Sequence, residues 1–122
     1  MIEGIGLDII ELRRIDRLRK KQTRFAERIL TERELEIFND LSDRRQTEFL
    51  AGRFAVKEAF SKAKGTGIGK DLSFTDIEVL RAETGQPTIT LPLDYQSSSF
   101  VSISHSEDYA VAQVVLMKKI EN

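Results

Sequence analysis

At 122 residues, 40% hydrophobic and 32% charged, the chain has the size and composition of one globular domain able to bury a modest core. The absence of cysteine excludes disulfides, thiolate catalysis and thiolate-held metal clusters, and a single histidine, His105, excludes any site built from several imidazoles. The formal net charge of −1 hides a local imbalance, because seven basic residues (Arg13, Arg14, Arg17, Arg19, Lys20, Lys21 and Arg24) are opposed in their segment by Glu11 and Asp16 alone. No apolar run approaches the roughly 20 residues that span a bilayer and no signal-peptide pattern opens the chain, so a cytoplasmic protein is expected.

No repeat, low-complexity tract or linker divides the chain, which reads as a single domain over 1–122. Ile2–Ile10, rich in isoleucine and interrupted by Gly4 and Gly6, predicts a strand with close backbone packing or a bulge. Glu11 to about Gln22 predicts a helix with Leu12, Ile15 and Leu18 on its inner side, and a short apolar segment, Phe25–Leu30, follows. Thr31 with Glu34 three residues later is a capping box that opens a further helix, whose apolar face is Leu35 and Phe38. A long helix is predicted from near Asp43 to Lys64, stopped by Gly65 as a left-handed cap. Ile77–Ala82 and Thr88–Leu91 predict a hairpin across the turn Glu83–Pro87. Phe100–Ser104 and Tyr109–Met117 predict a second strand pair across Ser106-Glu107-Asp108. The last strand is apolar almost throughout, which predicts burial of both its faces, one of them at a subunit interface. The fold class is α+β: an N-terminal strand and helices, one of them long, packed on an antiparallel sheet that dominates the second half.

Chemistry concentrates in FAVKEAFSKAKGTG, Phe54–Gly67. On a helical wheel of about 100° per residue, Ala51, Gly52, Ala55, Val56, Ala59, Phe60 and Ala63 share one side, and Arg53, Lys57, Ser61 and Lys64 the other. Glu58 lies at the seam with Lys62 close by, shielded yet reachable. A carboxylate for a hard cation, lysines for phosphate oxygens and the amides of Gly65-Thr66-Gly67 describe a phosphate-handling site. The order helix-then-glycines is the reverse of a P-loop, so the helix dipole opposes an anion, and lysines and loop amides must attract it. The bland alternative is a solvated face followed by a glycine cap. Asp8, an acid in an apolar strand, either ends the strand or caps the next helix, or it is a hard-metal ligand paired with Glu58. His105, flanked by Ser104 and Ser106, reads as a structural hydrogen-bonder or as a phosphate or ribose contact. For the basic helix the readings are a solvated face, a nucleic-acid-binding module or a surface for an acidic protein; a pI of about 5.9 and the lack of interleaved aromatics count against nucleic acid.

The segments GIGLDIIELRRI, RFAERILTERE, FLAGRFAVKEAFSKAKGTGIG, LSFTDIEV and VSISHSEDYAVAQVV, in this order, resemble holo-[acyl-carrier-protein] synthase, the short single-domain type of 4′-phosphopantetheinyl transferase. The resemblance covers nearly the whole chain. It implies transfer of the 4′-phosphopantetheine arm from coenzyme A to a serine of an acyl carrier protein in fatty acid biosynthesis, with release of adenosine 3′,5′-bisphosphate. It further implies that Asp8 and Glu58 hold Mg²⁺ and that Lys62 lies on the pyrophosphate and protonates the leaving group. Ser61, Lys64, Gly65, Thr66 and Gly67 then form the coenzyme-binding segment, while Arg53 and His105 approach the ribose 3′-phosphate. Glu58, directly or through a water, would take the serine proton. Arg14, Arg17 and Arg24 would contact the carrier protein, and a homotrimer with active sites between subunits is implied.

Overall fold

The computed structural model describes residues 1–96 and 98–118. Strand β1, Ile2–Glu11, runs into helix α1, Leu12–Lys21, followed by a short helix α2, Phe25–Ile29, then α3, Glu32–Asn39, and the long α4, Asp43–Lys64. The hairpin β2, Glu78–Arg81, and β3, Pro87–Leu91, comes next, and β4, Ser99–His105, with β5, Tyr109–Met117, completes the chain. β5 is the middle strand of a three-stranded antiparallel sheet in the order β1-β5-β4, while β2 and β3 form a separate two-stranded sheet. The α+β class is therefore as expected, but the sheet is not confined to the second half, because the first strand pairs with the last.

Close packing of α4 on this sheet explains the glycines of β1. A Cβ at Gly4 would stand 1.9 Å from the Ala63 carbonyl oxygen, and one at Gly6 would stand 1.7 Å from that of Ala59. Glycine in the strand facing alanine in the helix thus brings two backbones together, and no larger residue fits. Asp8 is the next residue on that face, so the same contact carries its carboxylate to α4.

The helix ends follow local rules. Thr31 Oγ1 accepts the Glu34 N–H at 3.3 Å while Glu34 Oε1 accepts the Thr31 N–H at 2.8 Å, the reciprocal capping box. Gly65 ends α4 with φ of +84°, a value that suits glycine.

One reading is corrected by packing. The Arg53, Lys57 and Ser61 side of α4 is not solvated: all three are buried, under α2, α3 and β2, so α4 is enclosed nearly all round. Of the two faces of β5, one chain covers one. Ala110, Ala112, Val114 and Leu116 lie under α4, whereas Val111 and Val115 share the outer face with Ile5, Leu7, Ile9 and Phe100, four residues that are each more than half exposed.

Candidate active site

Asp8, Glu58 and Lys62 come together where β1 crosses the last two turns of α4. Lys62 Nζ donates to Asp8 Oδ1 at 3.1 Å and to the Leu7 carbonyl at 3.1 Å. Glu58 is half-buried beside them; burial raises its pKa, the Asp8 carboxylate raises it further, and Lys62 opposes both. Two carboxylates that repel each other at a half-open surface suit a hard divalent cation, whose charge removes that repulsion. Among the described residues no group of three or more His, Asp or Glu side chains could hold a metal ion. Further ligands for an ion at Asp8 and Glu58 would have to be substrate oxygens and water, which is how Mg²⁺ is usually held beside phosphates.

The glycine segment after α4 closes the helix. The N–H groups of Gly65, Thr66 and Gly67 all point at the Ser61 carbonyl, at 3.0, 3.2 and 3.2 Å. Ser61 itself is fully buried, its hydroxyl donating to the Glu58 carbonyl at 2.7 Å, so its side chain offers a ligand nothing. Attraction for phosphate at this end of α4 falls to the Lys62 and Lys64 side chains; Lys64 Nζ lies 5.4 Å from the centre of the Tyr95 ring. Lys57, grouped with these lysines by sequence, is fully buried and points the other way, at Glu34.

Arg53 and His105 belong to a second cluster. They line an open cavity of about 760 Å³ together with Arg33, Arg45, Phe49 and Arg81. The Arg53 guanidinium stacks on Phe49, 4.2 Å from the ring centre, and its Nε is buried without a hydrogen-bond partner among the described residues. Burial depresses the Arg53 pKa to about 10, well within the charged range at neutral pH. His105 sits against Gly52, where a Cβ would be 3.3 Å from its Nε2, and that nitrogen lies 3.2 Å from the Glu48 carbonyl. Five residues of α4 separate Arg53 from Glu58, about 140° around the helix axis, so one chain presents the two clusters on different sides. Arg45, Arg33 and Arg81 were not singled out from sequence. The four-residue spacing of Arg45, Phe49 and Arg53 on one stripe of α4 was the available signal for the first; Arg33 and Arg81 had none.

On α1, Arg19 is spent internally. Its guanidinium donates to Thr47 Oγ1 at 3.1 Å, Gln46 Oε1 at 3.0 Å and Asp43 Oδ1 at 2.8 Å, and Lys20 stands 3.3 Å from Asp16. Arg14, Arg17 and Arg24 are exposed and make no ion pair among the described residues, which leaves them free for a partner.

Comparison with known proteins adds a second line. The sequence model of the 4′-phosphopantetheinyl transferase superfamily matches residues 4–114. Holo-[acyl-carrier-protein] synthase from Bacillus subtilis is 57% identical over 116 residues, 95% of this chain and 96% of that protein. The crystal structure of a holo-(acyl-carrier-protein) synthase from Bacillus anthracis in complex with CoA (3′,5′-ADP) superposes with a TM-score of 0.90 at 53% identity, covering 98% of this chain and 99% of that one. A Helicobacter pylori holo-[acyl-carrier-protein] synthase in complex with coenzyme A superposes with a TM-score of 0.78 at 38% identity, over 92% of this chain and 98% of that one.

Proposed function

The chain belongs to the 4′-phosphopantetheinyl transferase superfamily, and we propose that it moves the 4′-phosphopantetheine arm of coenzyme A to a serine hydroxyl of an apo acyl carrier protein, leaving adenosine 3′,5′-bisphosphate. The observation that carries this reading is the meeting of Asp8, Glu58 and Lys62 at the crossing of β1 and α4. In it Asp8 and Glu58 hold Mg²⁺, which when bound neutralises charge on the pyrophosphate oxygens. Lys62 occupies the position from which an ammonium can neutralise the departing phosphate and hand it a proton. Glu58 is the group placed to accept the proton that the serine must lose. Lys64 extends the positive surface along the coenzyme.

The arginine cavity is the natural seat of the other half of the substrate. Arg33, Arg45, Arg53 and Arg81 outweigh Glu36 and Glu48 around Phe49, an aromatic surface with His105 beside it, and an adenosine carrying a 3′-phosphate has the matching chemistry. Because one chain turns this cavity away from Asp8 and Glu58, a coenzyme A molecule reaching both would bridge two subunits. The open outer face of the sheet supports the same reading: Ile5, Val115 and Phe100 form one apolar row across it, and Ile9 and Val111 another, a surface suited to further copies of this chain. We read the assembly as a homotrimer working in the cytoplasm, with Arg14, Arg17 and Arg24 docking the acidic carrier.

The test is direct. The protein is incubated with coenzyme A, Mg²⁺ and an apo carrier protein, and the carrier is weighed by mass spectrometry. The arm should appear on the serine, fail to appear when the divalent cation is chelated, and fail with Asp8→Asn or Glu58→Gln. Full transfer by either variant would remove the metal-site assignment.

A further inference from the structure

Behind the arginine cavity lies a buried ion network that the transfer chemistry leaves unused. Glu34 and Lys57 are both fully buried, and Lys57 Nζ donates to Glu34 Oε1 and to the Ile29 carbonyl, each at 2.6 Å. Glu34 Oε1 also accepts the Thr31 N–H at 2.8 Å, and its Oε2 accepts the Val79 N–H at 2.9 Å. One carboxylate therefore fastens three elements: α3 through its own cap, α4 through Lys57 and β2 through Val79. Glu78, also buried, repeats the device on a smaller scale, accepting from the hydroxyls of Thr31 at 2.6 Å and Thr90 at 2.7 Å and standing 3.6 Å from Arg33.

A capping box requires only a glutamate or glutamine at the surface. Burying the ionised group is costly, and an apolar core often serves stability as well, so a structural role alone accounts poorly for a charge here. Arg53, one turn before Lys57 on α4, supplies a reason. Its guanidinium is buried and forms no salt bridge within 4.0 Å among the described residues, and it touches the face of Phe49. Burial and the nearby Arg81 both act against its charge, and Glu34 is the group that acts for it. We propose that Glu34 is a positioning residue for coenzyme recognition: by accepting from Lys57 on α4, one turn from Arg53, and from the Val79 N–H on β2, two residues from Arg81, its buried carboxylate fixes the two arginines relative to each other at the cavity wall. Lys57 is the cation that holds this carboxylate in place. The inference rests on the cavity being the seat of the 3′-phosphate.

KM values for coenzyme A and for 3′-dephospho-coenzyme A, measured with saturating apo carrier protein, test both layers. Wild type should favour coenzyme A by about tenfold or more, the scale of a charge-assisted contact. Glu34→Gln, with its fold checked by circular dichroism, should bring that ratio close to one, and Glu34→Asp, which keeps the charge, should retain most of it. A wild-type ratio near one overturns the 3′-phosphate assignment, and this inference with it. A wild type that discriminates beside an E34Q variant that discriminates equally overturns the inference alone. So does equal loss in E34Q and E34D, since shape and not charge would then matter. Should E34Q not fold, the E34Q/K57M double variant, which leaves neither member of the pair ionised, carries the same expectation: loss of the ratio supports the role and its retention overturns it.

Discussion

Asp8 reaches Lys62 and Glu58 because the two glycines before it let β1 lie directly on the backbone of α4. The position of this carboxylate is thus set by backbone packing at Gly4 and Gly6. The resulting charge arrangement has a stability consequence. A carboxyl whose folded pKa is raised favours the folded state below its unfolded value near 4.5, and that contribution is lost as pH rises through the folded value. At neutral pH the ionised Glu58 therefore weakens the fold. Glu58→Gln should melt at or above the wild-type temperature, followed by circular dichroism without added metal, while its transfer rate falls by about 100-fold or more. A melting temperature well below wild type would show that Glu58 supports the fold and would contradict the electrostatic picture. Asp8 and Glu58 were legible in the sequence as acids in apolar settings. Their meeting was not, because no local pattern sets which side of α4 faces β1.

At the scale of elements, the end of α4 could be read to the residue from Gly65 and its start to the neighbourhood of Asp43, whereas its polar side could not. Arg53, Lys57 and Ser61 look solvated on a wheel, since the carboxylate that makes Lys57 tolerable in the core comes from α3, 23 residues away. The amides of the glycine segment show a related limit of sequence: spacing shows that glycine is present, not where its N–H points. α1 and α4 are joined by a clamp in which Asp16 receives the Thr47 hydroxyl at 2.8 Å and pairs with Arg19 and Lys20. The Thr47 bond holds the Asp16 pKa below its ordinary value, with Lys20 and Arg19 assisting against burial. A depressed carboxyl contributes stability above about pH 4 that disappears as pH falls through its folded value. Asp16→Asn should cost at most about 1 kcal/mol at neutral pH, because the pair is partly exposed and screened. Urea melts at pH 7 and at pH 3 should show that difference shrinking in acid; an undiminished difference at pH 3 would mean the charge is not its source. On the opposite face of α1 and at the start of α2, Arg14→Glu with Arg24→Glu should raise the KM for the carrier protein by about tenfold or more and leave that for coenzyme A nearly unchanged, with a salt dependence weaker than that of wild type. Equal losses for both substrates would contradict a docking role for this helix.

For the whole molecule, the apolar run of β5 pointed to two buried faces, and one chain supplies cover for one. The outer rows of Ile5, Val115 and Phe100 and of Ile9 and Val111 stay open in one chain because α4, the only long helix among the described residues, is already committed to the inner face. No pattern within a single strand distinguishes burial under its own helix from burial under another copy. The distinction matters for catalysis, because the metal-side cluster and the arginine cavity lie about 140° apart around α4, and in the proposed assembly one coenzyme reaches both across a subunit boundary. Mixing two inactive variants tests this. Glu58→Gln retains the arginine cavity and Arg53→Ala retains the metal-side cluster, so each alone should transfer poorly. If subunits are exchanged by mild denaturation and refolding, a site joining an intact Glu58 from one chain to an intact Arg53 from its neighbour regains function. Random mixing of equal amounts should restore about one quarter of the sites of a cyclic trimer. Were both clusters of one chain to serve the same site, every site would keep one lesion and the mixture would stay at the level of the separate variants. A second arm closes the loop between interface and chemistry: Ile9→Asp, on the open face and remote from the arginine cavity, should sediment as a monomer and lose transfer together with assembly. A monomeric Ile9→Asp with full activity would place the whole site within one chain.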